Sequence, residues 1–157
     1  MDYTLELVVV PVSDVDRAKD FYIDKAGFKL LIDSVMGPEF RVVQLAPPGS
    51  ACAIAIGTGI GSMPPGSLHG LHLVVSDIEA AREELVGRGV EVADTFHFGE
   101  AGQTPGVDPE RRSYATFMPF QDPDGNTWLV QEVKRDWKVV EVKLDDVAGS
   151  PIGAMAS

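Results

Sequence analysis

The sequence predicts an α+β fold in which two tandem βαβββ modules form a cupped, mixed β-sheet. The first observation is an internal repeat, because residues 12–18 (VSDVDRA) return as residues 75–81 (VSDIEAA). The second is a β-branched run directly before each copy, at residues 7–10 and 71–75. The third is length, since 157 residues suit one domain with a sizeable core. The chain is therefore predicted to be a single domain built from a duplicated unit.

Each module is predicted to pass from a strand into a helix at its Ser-Asp pair. Side-chain oxygens of Ser and Asp cap helices by accepting free backbone N–H groups. Apolar residues then follow helical spacing, and glycine ends each helix at Gly27 and at Gly87 or Gly89. The expected strands after the helices are 28–32, 40–46 and 51–56 in the first module, and 90–92, 114–120 and 127–133 in the second.

The predicted boundaries are 3–57 for the first module, 58–68 for a linker, 69–134 for the second module and 135–157 for a C-terminal extension. Residues 94–112 form the longest stretch without a clear element, which predicts a long loop, a lid or disorder. In the extension, Trp137, Val140, Leu144 and Val147 suit a helix, whereas alternate residues from Val140 suit an edge strand. The small residues from Ala148 onward are expected to be disordered.

Composition excludes several classes of partner. Thirteen Lys and Arg against 24 Asp and Glu give a net charge of −11, which repels nucleic acid and anionic lipid surfaces. The single cysteine, Cys52, forms no intrachain disulfide, and the N-terminus does not resemble a secretion signal. We therefore expect a cytoplasmic protein with no nucleic-acid or membrane partner.

Residues 122–133 (DPDGNTWLVQEV) form a Pro-Asp-Gly-Asn turn followed by a strand. This segment resembles the closing hairpin and last strand of the glyoxalase, bleomycin-resistance and extradiol-dioxygenase (vicinal oxygen chelate) superfamily. The two Ser-Asp openings and Phe21-Tyr22 resemble the same family, and the resemblance covers about residues 5–133. It implies that family's fold, a small-molecule ligand in the cup between the modules, and a homodimer.

In metal-using members of the family, each module supplies one ligand from its first strand and one from its last. The matching positions here are Leu7, Ala53, Gly70 and Leu129. None of these side chains is a nitrogen, oxygen or thiolate donor. We therefore predict no metal and no other cofactor, which removes the Lewis-acid role that the metal has in the family's enzymes.

Strand alternation predicts which side chains share the cup face with those four positions. Gln131 joins Leu129, and His72 joins Gly70. Tyr114 and Met118 lie together on one face of the penultimate strand, but the sequence does not decide whether that face or the face of Ala115 and Phe117 lines the cup. The predicted pocket residues are Leu7, Val9, Ala53, Ala55, Gly70, His72, Tyr114, Met118, Leu129 and Gln131.

The pocket's polar groups leave alternatives open. His72 is either a general acid or base, a ligand partner, or a structural histidine that satisfies its own hydrogen bonds. A displaced metal site using His72 with Gln131 or Glu132 is a further alternative, although alternation places Glu132 on the opposite face. Arg111 and Arg112 either recognise an anion or are simply solvated, while His69 and His97 are expected to be exposed.

Two functions follow, beside a third possibility of a non-catalytic scaffold whose cup is filled by its own Met and Phe side chains. The first is binding of a small apolar or aromatic molecule in a metal-free cup, of the resistance or sequestration type, in which apolar area gives affinity and a few polar groups give orientation. The alternative is an enzyme of the same superfamily, a lyase, isomerase or dioxygenase. That enzyme would be metal-independent with His72 as acid or base, or would use a displaced metal site.

Overall fold

The computed structural model describes residues 1–134, and the first half of the chain forms a four-stranded mixed sheet with one helical segment. The strands are ordered β1-β4-β3-β2, with β1 parallel to β4 and the other pairs antiparallel. The elements are β1 (Leu7–Val9), α1 (Val15–Asp20) with a following π-helical turn (Phe21–Lys25), β2 (Lys29–Val35), β3 (Arg41–Ala46) and β4 (Ala53–Thr58).

The second half forms a five-stranded mixed sheet with one helix. The strands are ordered β5-β9-β8-β6-β7, with β5 parallel to β9. The elements are β5 (Leu71–Val75), α2 (Ile78–Gly87), β6 (Phe96–Gly99), β7 (Gly102–Pro105), β8 (Thr116–Gln121) and β9 (Thr127–Glu132). Two mixed sheets with few helices confirm the predicted fold class.

Both predicted helix caps are present. Asp14 accepts a hydrogen bond from the backbone N–H of Arg17 at 3.1 Å, and Asp77 accepts from Ala80 N–H at 3.2 Å. Gly27 follows the first helical segment with φ of 77°, a left-handed conformation that a side chain disfavours. The repeated Ser-Asp pair therefore begins a helix in both modules for the same physical reason.

Two predictions in the second module are wrong. Residues 90–92 do not form a strand, since only Val92 makes an isolated bridge, to Phe120. Residues 94–112 are not one long loop, because β6 and β7 form an antiparallel hairpin there. Glycines at both ends of its turn obscured the hairpin, whereas the alternating Phe96-His97-Phe98 was the strand signal.

Contacts divide the chain into two compact units. The first comprises Met1–Gly70, Gly87–Val90 and Gln121–Thr127, and the second comprises Leu71–Val86, Glu91–Phe120 and the described residues from Trp128 onward. The first unit therefore includes the Pro-Asp-Gly-Asn turn, which the sequence boundaries assign to the second module. The predictions for residues 135–157 lie outside the described residues. Within residues 1–134, no helix is both long enough and apolar enough to cross a membrane.

The turn is held inside the first unit by a buried hydrogen-bond network around Asp122. The Tyr22 hydroxyl donates to Asp122 Oδ2 at 2.8 Å, and Asn126 Nδ2 donates to the same atom at 2.7 Å. Asp122 Oδ1 accepts from the backbone N–H of Asn126 at 2.9 Å, and Asn126 Nδ2 also donates to the Pro11 carbonyl at 2.8 Å. Because Asp122 is only 4 % exposed, these bonds replace water around its carboxylate.

Candidate functional site

One face of the second sheet carries His72 beside Leu129, because these residues are register partners in the parallel pair β5–β9. Gln131 lies two residues further along β9 on the same face, and its Oε1 is 3.3 Å from His72 Nδ1. Gln131 is 2 % exposed and donates from Nε2 to the Tyr114 carbonyl at 3.0 Å. The structure thus brings together four of the predicted pocket residues, and the Gln131 amide links the His72 ring to the Tyr114 backbone carbonyl.

Aromatic rings continue this face toward the hairpin. Phe117 on β8 lies 6.3 Å from His72, centroid to centroid, and is stacked on Phe96 at 5.4 Å. Phe98 contacts both Phe96 and Phe117 edge to face, at 5.8 and 5.9 Å. Phe117 is 2 % exposed, whereas Phe98 is 39 % exposed. We call His72, Phe96, Phe98 and Phe117 the aromatic face.

This arrangement decides which side of β8 accompanies His72. Because Phe117 lies on the aromatic face, its neighbours Thr116 and Met118 point to the other side of the sheet. Met118 is fully buried there, so Phe117 replaces it as the β8 residue on the His72 side. Tyr114 precedes the strand with φ of 70° and contributes its carbonyl oxygen to Gln131.

The opposite side of β9 is structural. Glu132 is fully buried, and its Oε2 accepts from the first N–H of α2, at Ile78, at 2.9 Å. Arg111 Nη1 donates to the same oxygen at 2.8 Å, and its Nη2 lies 3.1 Å from Glu79 Oε2. Arg111 is therefore engaged by two carboxylates rather than solvated or set out to recognise an anion.

An open cleft of about 490 Å³ lies beside Phe98. Asp108 and Arg112 line it and pair at 2.9 Å. Burial alone would raise the pKa of Asp108, but hydrogen bonds from the Arg112 side chain and backbone outweigh it and lower that pKa. His97, expected to be exposed, is 8 % exposed, and its Nδ1 lies 2.8 Å from the Gly106 carbonyl oxygen, because it lies on β6 rather than in a loop. His69 is exposed as predicted.

The predicted pocket residues of the first module lie together on the first sheet. Leu7 is the register partner of Ala53, and Val9 is the partner of Ala55. Ala53 and Ala55 are 5 % and 2 % exposed. Gly70 precedes β5 with φ of 89°, and no heavy atom lies within 4 Å of where its Cβ would be.

The donor set does not fit the metal that the fold family uses. Leu7 and Ala53 adjoin on one sheet, Leu129 lies on the other, and Gly70 has a backbone conformation that disfavours any side chain. Among residues 1–134, no group of three His, Cys, Asp or Glu side chains could hold a metal ion. His72 and Gln131 supply only two potential metal ligands, and their Nδ1 and Oε1 atoms are hydrogen-bonded to each other.

Residues 4–130 match the profile of the Glyoxalase/Bleomycin resistance protein/Dioxygenase superfamily. The chain belongs to this superfamily. Among solved members, the glyoxalase/bleomycin resistance protein from Streptomyces sp. CB03234 is 36 % identical, with a TM-score of 0.63, over 82 % of this chain and 100 % of that one. TnmS3, an antibiotic binding protein from the same organism, is 35 % identical, with a TM-score of 0.66, over 84 % of this chain and 97 % of that one.

A curated relative is the uncharacterised protein YetH of Bacillus subtilis. It is 30 % identical over 129 residues, which cover 80 % of this chain and 94 % of YetH. The family match over residues 4–130 confirms the predicted resemblance, which was based on about residues 5–133. Family membership fixes the architecture, whereas the activity depends on which side chains the site carries.

Proposed function

We propose that this protein binds a small apolar or aromatic molecule, without a metal, on the aromatic face of its second sheet. The observation that carries the proposal is a cluster of three phenylalanine rings in mutual contact, with His72 edge to face against Phe117 and oriented by a buried glutamine. Ligand sites of this kind combine apolar area with a few fixed polar groups.

Similarity supports sequestration rather than chemistry. TnmS3, at 35 % identity, is an antibiotic binding protein, and the four positions that hold metal in the family's enzymes are Leu7, Ala53, Gly70 and Leu129 here. The sequence predicts that these residues, with Val9 and Ala55, provide apolar or small pocket lining, and that lining remains a prediction. The expected homodimer and cytoplasmic location remain predictions.

The test is equilibrium binding of 2-naphthol and 2-methoxynaphthalene, followed by isothermal titration calorimetry. Phe98→Ala should weaken both Kd values about tenfold, because an exposed ring that stacks on a ligand contributes about 1–1.5 kcal/mol. Phe98 is 39 % exposed, so the substitution leaves no large internal cavity. Val86→Ala, at a residue 51 % exposed on α2, is the matched control and should leave both Kd values unchanged.

Chromatography of the recovered probes separates sequestration from catalysis. We expect both probes to be recovered unchanged after prolonged incubation with equimolar protein. Failure of both probes to bind would refute the proposal. Chemical conversion that disappears in His72→Phe would instead support the enzyme alternative with His72 as acid or base.

A further inference from the structure

We propose that His72 is a hydrogen-bond acceptor for the ligand, so that the site selects aromatic molecules carrying an O–H or N–H group. This inference rests on the proposed function and specifies its ligand class. Two hydrogen bonds at Gln131 support it. The bond to Tyr114 determines the orientation of the Gln131 amide, and the bond to His72 then determines the tautomer of the His72 imidazole.

The first step is the orientation of the Gln131 amide. The Tyr114 carbonyl is an acceptor only, so the amide group 3.0 Å from it must be the NH2 donor. The amide oxygen then faces His72 Nδ1, at 3.3 Å. A reversed amide would set two carbonyl oxygens against each other inside a region where Gln131 is 2 % exposed, and no water could compensate.

The second step is the tautomer of His72. Since the amide oxygen is an acceptor, Nδ1 must carry the proton, and neutral His72 then has its lone pair on Nε2. His72 is exposed, and its ring is held edge to face against Phe117 at 6.3 Å. Nε2 of this exposed residue is therefore available to accept a hydrogen bond, and the ring belongs to the same aromatic face as the exposed Phe98.

The functional consequence is discrimination by polarity. A phenol or aryl amine can donate to His72 Nε2, while a methoxy group of similar size cannot. A site built around a polar group rejects the analogue that leaves this group unpaired, because burying an unsatisfied acceptor costs free energy. Gln131 is a positioning residue here, because it acts on the ligand only through His72.

The experiment compares the two probes in wild type and in variants, using the ratio of the Kd of 2-methoxynaphthalene to that of 2-naphthol. His72→Phe keeps an aromatic ring and removes the acceptor. We expect this ratio to fall about tenfold in His72→Phe, with the Kd of 2-methoxynaphthalene changed less than threefold. His69→Phe makes the same replacement at another exposed histidine and should leave the ratio unchanged.

A second measurement does not depend on the ligand. Long-range ¹H–¹⁵N correlation spectra of the neutral imidazole should show His72 in the Nδ1–H form, and Gln131→Met should allow the Nε2–H form to appear. Two results would refute this inference alone. One is binding of both probes with a Kd ratio that His72→Phe leaves unchanged, and the other is an Nε2–H tautomer of His72 in the wild type. Failure of both probes to bind would refute the proposed function and this inference together.

Discussion

The contact between Arg111 and Glu132 allows a quantitative test of a buried charge. Glu132 has a side chain with 0 % exposure, and Arg111 has one with 36 % exposure. Replacing Arg111 with Met removes the guanidinium 2.8 Å from Glu132 Oε2 and leaves the carboxylate with the Ile78 N–H and with Lys134 at 3.8 Å. Within residues 1–134, Glu132 Oε1 has no hydrogen-bond partner, so no second contact on that oxygen compensates.

The expected cost of Arg111→Met is about 3 kcal/mol of unfolding free energy. Removing one partner of a fully buried pair costs about 3–5 kcal/mol. The lower end applies because Arg111 is 36 % exposed, so solvent screens the pair, and because Lys134 and the helix N–H remain. Glu132→Gln should cost about 1.5 kcal/mol, because a neutral amide oxygen still accepts from Ile78. The double variant buries no charge and should cost only about 2.5 kcal/mol, well below the sum of about 4.5 kcal/mol.

Urea unfolding followed by circular dichroism measures each of these free energies. The change for Arg111→Met corresponds to a Tm decrease of about 6–12 °C in a chain of this size. Glu79→Gln is the control, since it removes the exposed partner of the same guanidinium and should cost less than about 0.5 kcal/mol. Additivity of the two single changes to within about 0.5 kcal/mol would refute the argument from a buried, uncompensated charge.

Two further predictions concern the first unit. Asp122→Asn should lower the unfolding free energy by about 2 kcal/mol and Tyr22→Phe by about 1 kcal/mol, because each removes a buried hydrogen bond of the network. Urea unfolding in which both variants match wild type would contradict this. Hydrogen bonds from Arg41 and then Lys19 lower the pKa of Asp33, so its contribution to stability is present above pH 3.8 and is lost as pH falls below that value. Asp33→Asn should therefore have a lower free energy of unfolding than wild type at pH 6.5, and this difference should narrow at pH 2.5. A difference that does not change with pH would contradict the prediction.

The sequence predicted the architecture because its strongest signals are local and repeated. A Ser-Asp pair between a β-branched run and a helical pattern determines a strand, a cap and a helix within a few residues, and the chain contains this signal twice. The Pro-Asp-Gly-Asn turn is similarly local. The family profile over residues 4–130 confirms what these segments indicated.

The second module shows where sequence reasoning failed. Strand β8 is buried on both faces, with Thr116, Phe117 and Met118 all at most 2 % exposed, so alternation could not tell the aromatic face from the other side. The glycines around β6 and β7 concealed the hairpin that supplies Phe96 and Phe98. Long-range hydrogen-bond partners could not be predicted from local patterns either, since Tyr22 and Asp122 are 100 residues apart in sequence.

The Pro-Asp-Gly-Asn turn also has a consequence for synthesis on the ribosome. The first unit contains Gln121–Thr127, so a nascent chain that ends near Gly70 lacks the acceptor of the Tyr22 hydroxyl and the donor to the Pro11 carbonyl. Elongation at roughly 5–20 residues per second leaves this interval open for about 3–10 s. During that time the N-terminal half lacks these hydrogen bonds and is open to chaperones. Synthesis of the Pro-Asp-Gly-Asn turn then completes the first unit.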